Sequence, residues 1–174
     1  MIEPRLTLPG VEVYIGDAKE TVLQLAERYP HKVSSVITSP AYLWKRSYLP
    51  DGHPLKAMEM GQEATPEQFV NALCDLFDAI RKYLLREDGS IWANLADTWS
   101  GSGGAGGDYN EGGLREGQAK WKPGKSKIPR KSLMAIPERF LIAMIDRGWI
   151  CRNKPIWFKG KDVDEAPEAE ENIA

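Results

Sequence analysis

The sequence predicts an α/β fold, because short β-branched runs typical of buried strands alternate with longer apolar patterns of helical period. The clearest strand is Val33 to Thr38, and the clearest helix start is Thr65-Pro66. The strand stops abruptly at Ser39-Pro40, since proline fixes its own φ and pushes the residue before it towards extended geometry. In an open α/β sheet, ligands gather at the carboxyl ends of the strands, so we expect this turn to face a ligand.

The composition is that of a globular protein with a modest core. The chain has 174 residues, of which 42% are hydrophobic and 28% charged, which fits one domain. No apolar run approaches the roughly 20 residues of a membrane span. The two cysteines, Cys74 and Cys151, have neither metal-site nor disulfide-framework spacing. We therefore expect a cytoplasmic protein with no membrane partner and no bound metal.

The net charge of −2 hides an uneven distribution. Residues 162–174 contain six acids and no base, and without them 23 bases face 19 acids, so the remaining body carries about +4. Such a body is compatible with a polyanionic partner. We expect residues 1–161 to form the folded region and residues 162–174 to be an acidic disordered tail.

The first half of the chain predicts a strand, a helix and a polar loop. Val11 to Ile15 has a strand pattern, and Asp17 with Glu20 has the spacing of a capping box that opens a helix. The stretch from Leu43 to Glu63 is polar and irregular. Its interleaved bases and aromatics suit phosphate contact and base stacking, although a surface loop with incidental aromatics has the same composition; these residues are Trp44, Lys45 and Arg46.

The second half predicts two helices and two strands. Thr65 caps a helix whose apolar face includes Phe69 and Phe77, and in which Cys74 is a packing residue. Asp88-Gly89 ends that helix, and Ser90 to Leu95 is the next strand. Ser132 to Gly148 is the last helix, with Phe140, Leu141, Met144 and Ile145 on its buried side, and Ile150 to Lys159 is the closing strand.

A glycine-rich and then basic stretch joins that strand to the last helix. Gly101 to Gly106 satisfies G-x-G-x-x-G, but no helical pattern follows to hold phosphates, so we predict a loop and not a nucleotide fold. From Arg115 to Lys131 there are seven bases and one acid. This stretch either neutralises phosphates or is merely a solvated loop; its candidate contacts are Lys120, Trp121, Lys122, Lys125, Lys127, Arg130 and Lys131.

The turn at residues 38–42, TSPAY, resembles the (S/D/N)-P-P-(Y/F/W) motif of the amino-group DNA methyltransferases. These enzymes methylate the exocyclic amino group of cytosine or adenine with S-adenosylmethionine. The segments VEVYIGDAKETVL, GSIWANLADTW, KSLMAIPERF and NKPIWFKG are similar to further parts of that family and follow its order from Val11 to Gly160. They resemble the branch whose catalytic half precedes its cofactor half.

The resemblance implies a partial Rossmann-like S-adenosylmethionine-dependent methyltransferase sheet with flanking helices, and double-stranded DNA as the partner. It implies that Ser39 Oγ and the Pro40 carbonyl accept hydrogen bonds from the target amine, and that Tyr42 stacks on the flipped base. A serine at the first position of the motif resembles the cytosine-type members of the family more than the adenine-type members. The resemblance also implies that Asp17 borders the adenine end of the cofactor. The sequence does not decide between this role and the capping of the following helix.

Two departures from the family pattern weaken the expected activity. Ala41 replaces the second proline of the motif, which removes one locked φ and costs roughly 1 kcal/mol of pre-organisation. No D-x-F-x-G-x-G stretch follows the closing strand, so S-adenosylmethionine would bind only if a partner chain or a missing C-terminal segment supplied the rest of its site.

Three hypotheses follow from the sequence. The first is a site-specific DNA methyltransferase, truncated or weakened. The second is a non-catalytic nucleic-acid-binding module derived from such an enzyme. The third is an unrelated α/β domain in which TSPAY is only a turn that ends a strand.

Overall fold

A computed structural model describes residues 2–45, 47–49, 52–101 and 127–158. The strands in chain order are β1 (Leu6–Leu8), β2 (Val11–Val13), β3 (Val33–Thr38) and β4 (Leu85–Ala93), and the helices are α1 (Ala18–Arg28), α2 (Pro66–Tyr83) and α3 (Ile136–Asp146). The fold is thus the mixture of helices and strands that the sequence predicts. The described strands form two separate two-stranded sheets, β1–β2 and β3–β4.

Helix α2 supplies most of the hydrophobic core. The Thr65 hydroxyl accepts the Gln68 N–H at 3.2 Å, and Pro66 occupies the first turn, where it sacrifices no hydrogen bond. Apolar residues then recur at helical spacing, so one side of the helix is inaccessible to water; the buried side chains are Phe69, Val70, Leu73, Cys74, Phe77 and Ile80. Burial raises the pKa of the Cys74 thiol, which supports its predicted packing role.

Strands β3 and β4 are parallel neighbours and form the central pair. Their ladder runs from Ser35 opposite Ser90 to Thr38 opposite Ala93. Before this ladder, Val33 pairs with Leu85. Between the two pairings, β3 has one residue, Ser34, and β4 has four, residues 86–89, so the register shifts there as in a β-bulge. The sequence predicts that the strand begins at Ser90, where the regular ladder starts, but β4 already begins at Leu85. Helix α2 therefore ends at Tyr83, before the predicted end at Asp88, and Leu84 and Leu85 are buried.

The antiparallel hairpin β1–β2 is tied to α1 by a polar cluster. The Glu12 carboxylate accepts hydrogen bonds from the Tyr14 and Tyr29 hydroxyls, both at 2.7 Å, and from Arg28 at 2.8 Å. The tyrosine hydrogen bonds are the main reason that the pKa of Glu12 lies below its ordinary value. The start of α1 confirms the capping prediction, since Asp17 Oδ1 accepts the Glu20 N–H at 2.9 Å.

Helix α3 packs against α2 through a charged and aromatic network at its carboxyl end. Arg147 reaches Asp75 at 2.7 Å and Asp78 at 2.9 Å, and Trp149 Nε1 donates to Asp78 at 2.8 Å. The net pKa of Asp78 lies below its ordinary value. Partial burial by itself would raise this pKa, but the hydrogen bonds from Trp149 and Arg147 outweigh the effect of burial. These contacts fix the orientation of α3 relative to the core helix.

Two predictions about the last third of the chain are wrong. Residues 150–158 form no strand and are exposed throughout, because they pair with none of the described strands. Ile145 is 48% exposed although Met144 beside it is buried, since α3 packs on one neighbouring helix only. Among the described residues, no helix is long and apolar enough to cross a membrane. The predicted acidic tail, residues 162–174, lies outside the described residues.

Candidate functional site

The turn after β3 lies at the carboxyl edge of the parallel pair, as the sequence predicts. Thr38 is the last paired residue of β3, and its carbonyl accepts the Asn94 N–H at 2.9 Å, which ties the ends of β3 and β4 together. Ser39 follows directly and is exposed. Its hydroxyl is therefore accessible at the edge where parallel sheets bind their ligands.

Ser39 and Tyr42 are brought together by the turn. The Ser39 Oγ and the Tyr42 hydroxyl lie 3.1 Å apart, within hydrogen-bond distance, while Tyr42 itself is partly buried. The next residue, Leu43, is 1% exposed and anchors the turn in the core. Because a hydroxyl has one donor and two acceptor sites, Ser39 Oγ can still accept a hydrogen bond from a bound molecule while it pairs with Tyr42.

Gly61 supports the turn from behind. Its φ is +90°, and a Cβ placed on it would lie 3.1 Å from the Tyr42 carbonyl oxygen and 3.2 Å from Ala41 Cβ. The Trp44 N–H donates to the Gly61 carbonyl at 2.8 Å. Only glycine combines this backbone conformation with so close an approach, so Gly61 sets the position of Tyr42. No local pattern in the sequence indicates this contact.

Trp44 and Lys45, predicted to contact DNA, lie in different environments. The Trp44 indole is partly buried, and its Nε1 donates to the Glu63 carbonyl at 2.8 Å. This side chain therefore stabilises the loop, and its indole N–H is hydrogen-bonded within the protein. Lys45 is exposed and accessible to a polyanion. Arg46 lies outside the described residues.

The loop after Trp44 is held by a carboxylate that sequence reasoning missed. Glu59 is 5% exposed at its side chain and accepts hydrogen bonds from Ser47 Oγ at 2.9 Å and from the backbone N–H groups of Tyr48 and Leu49. Lys56 approaches it to 3.1 Å. Burial raises the pKa of Glu59, but these donors outweigh it, so the pKa is lowered and the carboxylate stays charged. The described residues of the stretch predicted as irregular thus form a loop held by specific hydrogen bonds.

On the other side of the edge, a short antiparallel ribbon joins the segments after β4 and before α3. The Ser100 N–H donates to the Ser132 carbonyl at 2.8 Å, and the Met134 N–H donates to the Thr98 carbonyl at 2.9 Å. The described end of the basic stretch, Lys127 to Lys131, thus lies beside the segment that follows β4, where the Lys131 N–H donates to the Ser100 carbonyl at 2.7 Å. Its described members are exposed, namely Lys127, Arg130 and Lys131. Lys120, Trp121, Lys122 and Lys125 lie outside the described residues.

Asp97 holds this ribbon to the start of α3. Its carboxylate accepts backbone N–H groups from Thr98 at 2.8 Å, Ala135 at 2.9 Å and Ile136 at 3.0 Å. Because Ala135 is the cap residue of α3 and has no polar side chain, Asp97 satisfies the donors of that helix from 38 residues away. No window of local sequence could reveal this cap.

Asn94 is a further polar residue at the edge, and sequence reasoning missed it. It follows Ala93 on β4 as Ser39 follows Thr38 on β3, so it is the lateral neighbour of the serine. It is partly buried. The signal that could have found it is its place directly after an apolar strand, next to the strand that ends at Ser39-Pro40.

Asp17 follows β2, which belongs to the other sheet, and one of its oxygens caps α1. Its remaining oxygen could accept one hydrogen bond from a ribose or adenine, so its cofactor-binding role stays a prediction. The described residues contain no group of three His, Cys, Asp or Glu side chains that could hold a metal ion.

Comparison with known proteins gives two similarities. The chain is 27% identical over 151 residues to the type II methyltransferase M.SfiI of Streptomyces fimbriatus, which covers 87% of this chain and 31% of that protein. It is 26% identical over 129 residues to the type II methyltransferase M.MwoI of Methanothermobacter wolfeii, which covers 74% of this chain and 14% of that protein.

The matched region therefore spans less than a third of either relative. No protein-family model matches the chain, and no solved structure matches it significantly. Two type II methyltransferases that match most of this chain support a relationship with the DNA methyltransferases.

Proposed function

We propose that this chain is the catalytic part of a DNA methyltransferase that acts on the exocyclic amino group of cytosine or adenine, with S-adenosylmethionine as the methyl donor. The observation that carries the proposal is the exposed Ser39 hydroxyl at the carboxyl edge of β3, with Tyr42 3.1 Å away. The similarity to two type II methyltransferases supports the same reaction class.

The chemistry requires help because the lone pair of an exocyclic amine is delocalised into the base. Ser39 Oγ and the Pro40 carbonyl oxygen accept hydrogen bonds from the two amino hydrogens, which concentrates electron density on the nitrogen. Fixed acceptors aimed at the reacting group cost no reorganisation when the charge develops. They also orient the nitrogen towards the incoming methyl group. S-adenosylmethionine supplies that methyl group as an electrophile.

Tyr42 has two states in this proposal. Without DNA its hydroxyl pairs with Ser39, and with DNA its ring stacks on the extruded base and frees the serine. An exposed neutral hydrogen bond contributes about 1 kcal/mol, so breaking it is a small cost compared with the few kcal/mol of unstacking a base. Asn94, the lateral neighbour of Ser39, is placed to contact the edge of the base.

The exposed bases beside this edge provide the affinity for DNA. Lys45 flanks the turn on one side, and Lys127 and Lys131 flank the ribbon on the other. Phosphate neutralisation by such residues positions a duplex without reading its sequence. The bases that lie outside the described residues, Lys120, Lys122 and Lys125, and Trp121 among them, are proposed to contact DNA as well.

The test is methylation of unmethylated genomic DNA, followed by digestion and mass spectrometry of the nucleosides. N4-methylcytosine or N6-methyladenine is the expected product, and its identity names the target base. Ser39→Ala should abolish product, whereas Ser35→Ala should not, because Ser35 is exposed on the same strand and its hydroxyl lies 3.4 Å from that of Ser90, away from the turn after β3. C5-methylcytosine as the product, or full activity of the Ser39 variant, would refute the proposal.

A second candidate function is a nucleic-acid-binding module without catalysis. It is favoured by the exposed bases Lys45, Lys127 and Lys131, which can contact phosphates without any methyl transfer. Salt-dependent DNA binding with no heat of binding for S-adenosylmethionine would identify the chain, by itself, as such a module.

A further inference from the structure

Asn94 lies beside Ser39 on the neighbouring strand of the parallel pair. Thr38 and Ala93 are the last paired residues of β3 and β4, and Ser39 and Asn94 follow them directly. The Asn94 N–H donates to the Thr38 carbonyl at 2.9 Å, so the backbone of Asn94 is fixed at this edge. Because neighbouring strands are about 4.8 Å apart, the two side chains can contact adjacent atoms of one small ring.

The two side chains also belong to the same face of the pair. On β4, Ala93 and Leu95 pack against the hydrophobic core, so Asn94, which lies between them, projects to the opposite face. On β3, Val36 packs against the core, and the same alternation assigns Ser39 to that opposite face. Ser39 is exposed and Asn94 is partly buried, so a ligand at this edge can reach both.

The side-chain amide of Asn94 is available to a ligand. No other described residue forms a hydrogen bond with it. An amide offers two donor hydrogens and one acceptor oxygen, and such a group needs a partner once a bound ligand excludes water from it. Asp97, three residues further along, cannot supply a donor, because its carboxylate only accepts and already holds three backbone N–H groups.

The proposed reaction leaves one polar atom of the target base without a partner. Ser39 and Pro40 accept hydrogen bonds from the two amino hydrogens. The ring nitrogen beside the amino-bearing carbon, N3 of cytosine or N1 of adenine, is a hydrogen-bond acceptor that loses its complementary base when the nucleotide is extruded. An acceptor that leaves water without gaining a donor weakens binding, so a donor beside Ser39 is required.

We propose that Asn94 is a specificity-determining residue whose amide donates a hydrogen bond to this ring nitrogen, so that the site selects bases in which an acceptor adjoins the amino group. The inference rests on the proposed function. Ser39 and Pro40 hold the amino group from the end of β3, and Asn94 holds the ring nitrogen from the end of β4. Contacts to two adjacent atoms also fix the rotation of the base in its own plane, which aligns the amine.

The test is a double-mutant cycle between Asn94 and the ring nitrogen. Sequencing of the methylated genomic DNA gives the recognition site, and synthetic duplexes of that site carry either the natural target base or its deaza analogue, 3-deazacytosine or 1-deazaadenine, which keeps the amino group and lacks the ring nitrogen. We expect the analogue to lower kcat/KM for the full chain at least about tenfold more than it does for Asn94→Ala, because the variant has no donor to leave unpaired.

The matched control is Asn71→Ala on α2, where an exposed asparagine accepts a hydrogen bond from Arg147 at 3.3 Å. It should respond to the analogue as the unmodified chain does. Both duplexes are measured with the same protein preparation, so any loss of folded protein cancels. Equal losses on the analogue for the unmodified chain and Asn94→Ala, with the natural base still methylated, would overturn the role of Asn94 and leave the proposed function standing. Absence of any amino-methylated product would overturn both.

Discussion

Replacement of Gly61 by alanine tests whether close backbone packing positions the TSPAY turn. Gly61 has a φ of +90°, and the new Cβ would lie 3.1 Å from the Tyr42 carbonyl oxygen and 3.2 Å from Ala41 Cβ. Gly148 is the matched control, since its φ is +80° and nothing lies within 4 Å of the Cβ that alanine would add there. The two substitutions share the backbone strain and differ in the steric contact.

The expected magnitudes follow from these two contributions. A left-handed conformation costs an L-residue about 1–2 kcal/mol, while loss of glycine's freedom in the unfolded chain returns about 0.4–1 kcal/mol. Gly148→Ala should therefore lower the free energy of unfolding by about 1 kcal/mol. Gly61→Ala should lower it by about 2 kcal/mol, because the neighbouring atoms belong to the backbone and to a short side chain and cannot turn away cheaply.

Urea denaturation, monitored by tryptophan fluorescence, measures the free energy of unfolding of both variants. Trp44 lies next to the substitution, since its backbone N–H donates a hydrogen bond to the Gly61 carbonyl. If the two variants lose equal stability, the contact between Gly61 and the Tyr42 backbone is not important. Gly61→Ala should also displace Tyr42 and lower DNA methylation more than Gly148→Ala does. Equal methylation by the two variants would refute the role of Gly61 in positioning the tyrosine.

Three further predictions concern the helix contacts and the basic surface. Asp97→Ala should lower the free energy of unfolding by about 2 kcal/mol in urea denaturation, since it removes the acceptor of three backbone N–H groups; an unchanged value would contradict the capping role. The pKa of Asp78 is lowered in the folded state, so its stabilising contribution is complete above its ordinary value of 3.8 and is lost as the pH falls below it. Arg147→Ala should cost about 1 kcal/mol at pH 7 and flatten this acid dependence in pH-resolved thermal melts. Lys127→Ala and Lys131→Ala should each reduce the slope of log affinity for duplex DNA against log salt by about 1, and an unchanged slope would place the duplex elsewhere.

Local sequence was sufficient for the features that depend on neighbouring residues. The caps Asp17 and Thr65, the apolar face of α2, the packing role of Cys74 and the end of β3 at Ser39 are all confirmed. Each depends on contacts between residues a few positions apart or on the helical period. The TSPAY resemblance likewise depends on five consecutive residues, and its assignment to an amino-methyltransferase remains a proposal.

Features that depend on distant residues could not be predicted. Asp97 caps a helix that begins at Ile136, and Gly61 packs against the turn at Ala41 and Tyr42. Both contacts exist only after the chain has folded back on itself. The closing strand expected at Ile150 failed for a related reason: an apolar pattern specifies which residues favour a strand, but a strand also requires a neighbour that pairs with it.

The sequence by itself determined the order β2, α1, β3, α2, β4 and α3 and the serine, proline and tyrosine that end β3, but it missed β1 and placed a strand after α3 that residues 150–158 do not form. Only the tertiary structure decided which side chains share the edge with Ser39 and that Ile37 and Trp92 lie uncovered. Secondary structure follows from local propensity and periodicity, whereas burial is a property of the surfaces that meet. For that reason the same β-branched run is covered at Val36 and exposed at Ile37.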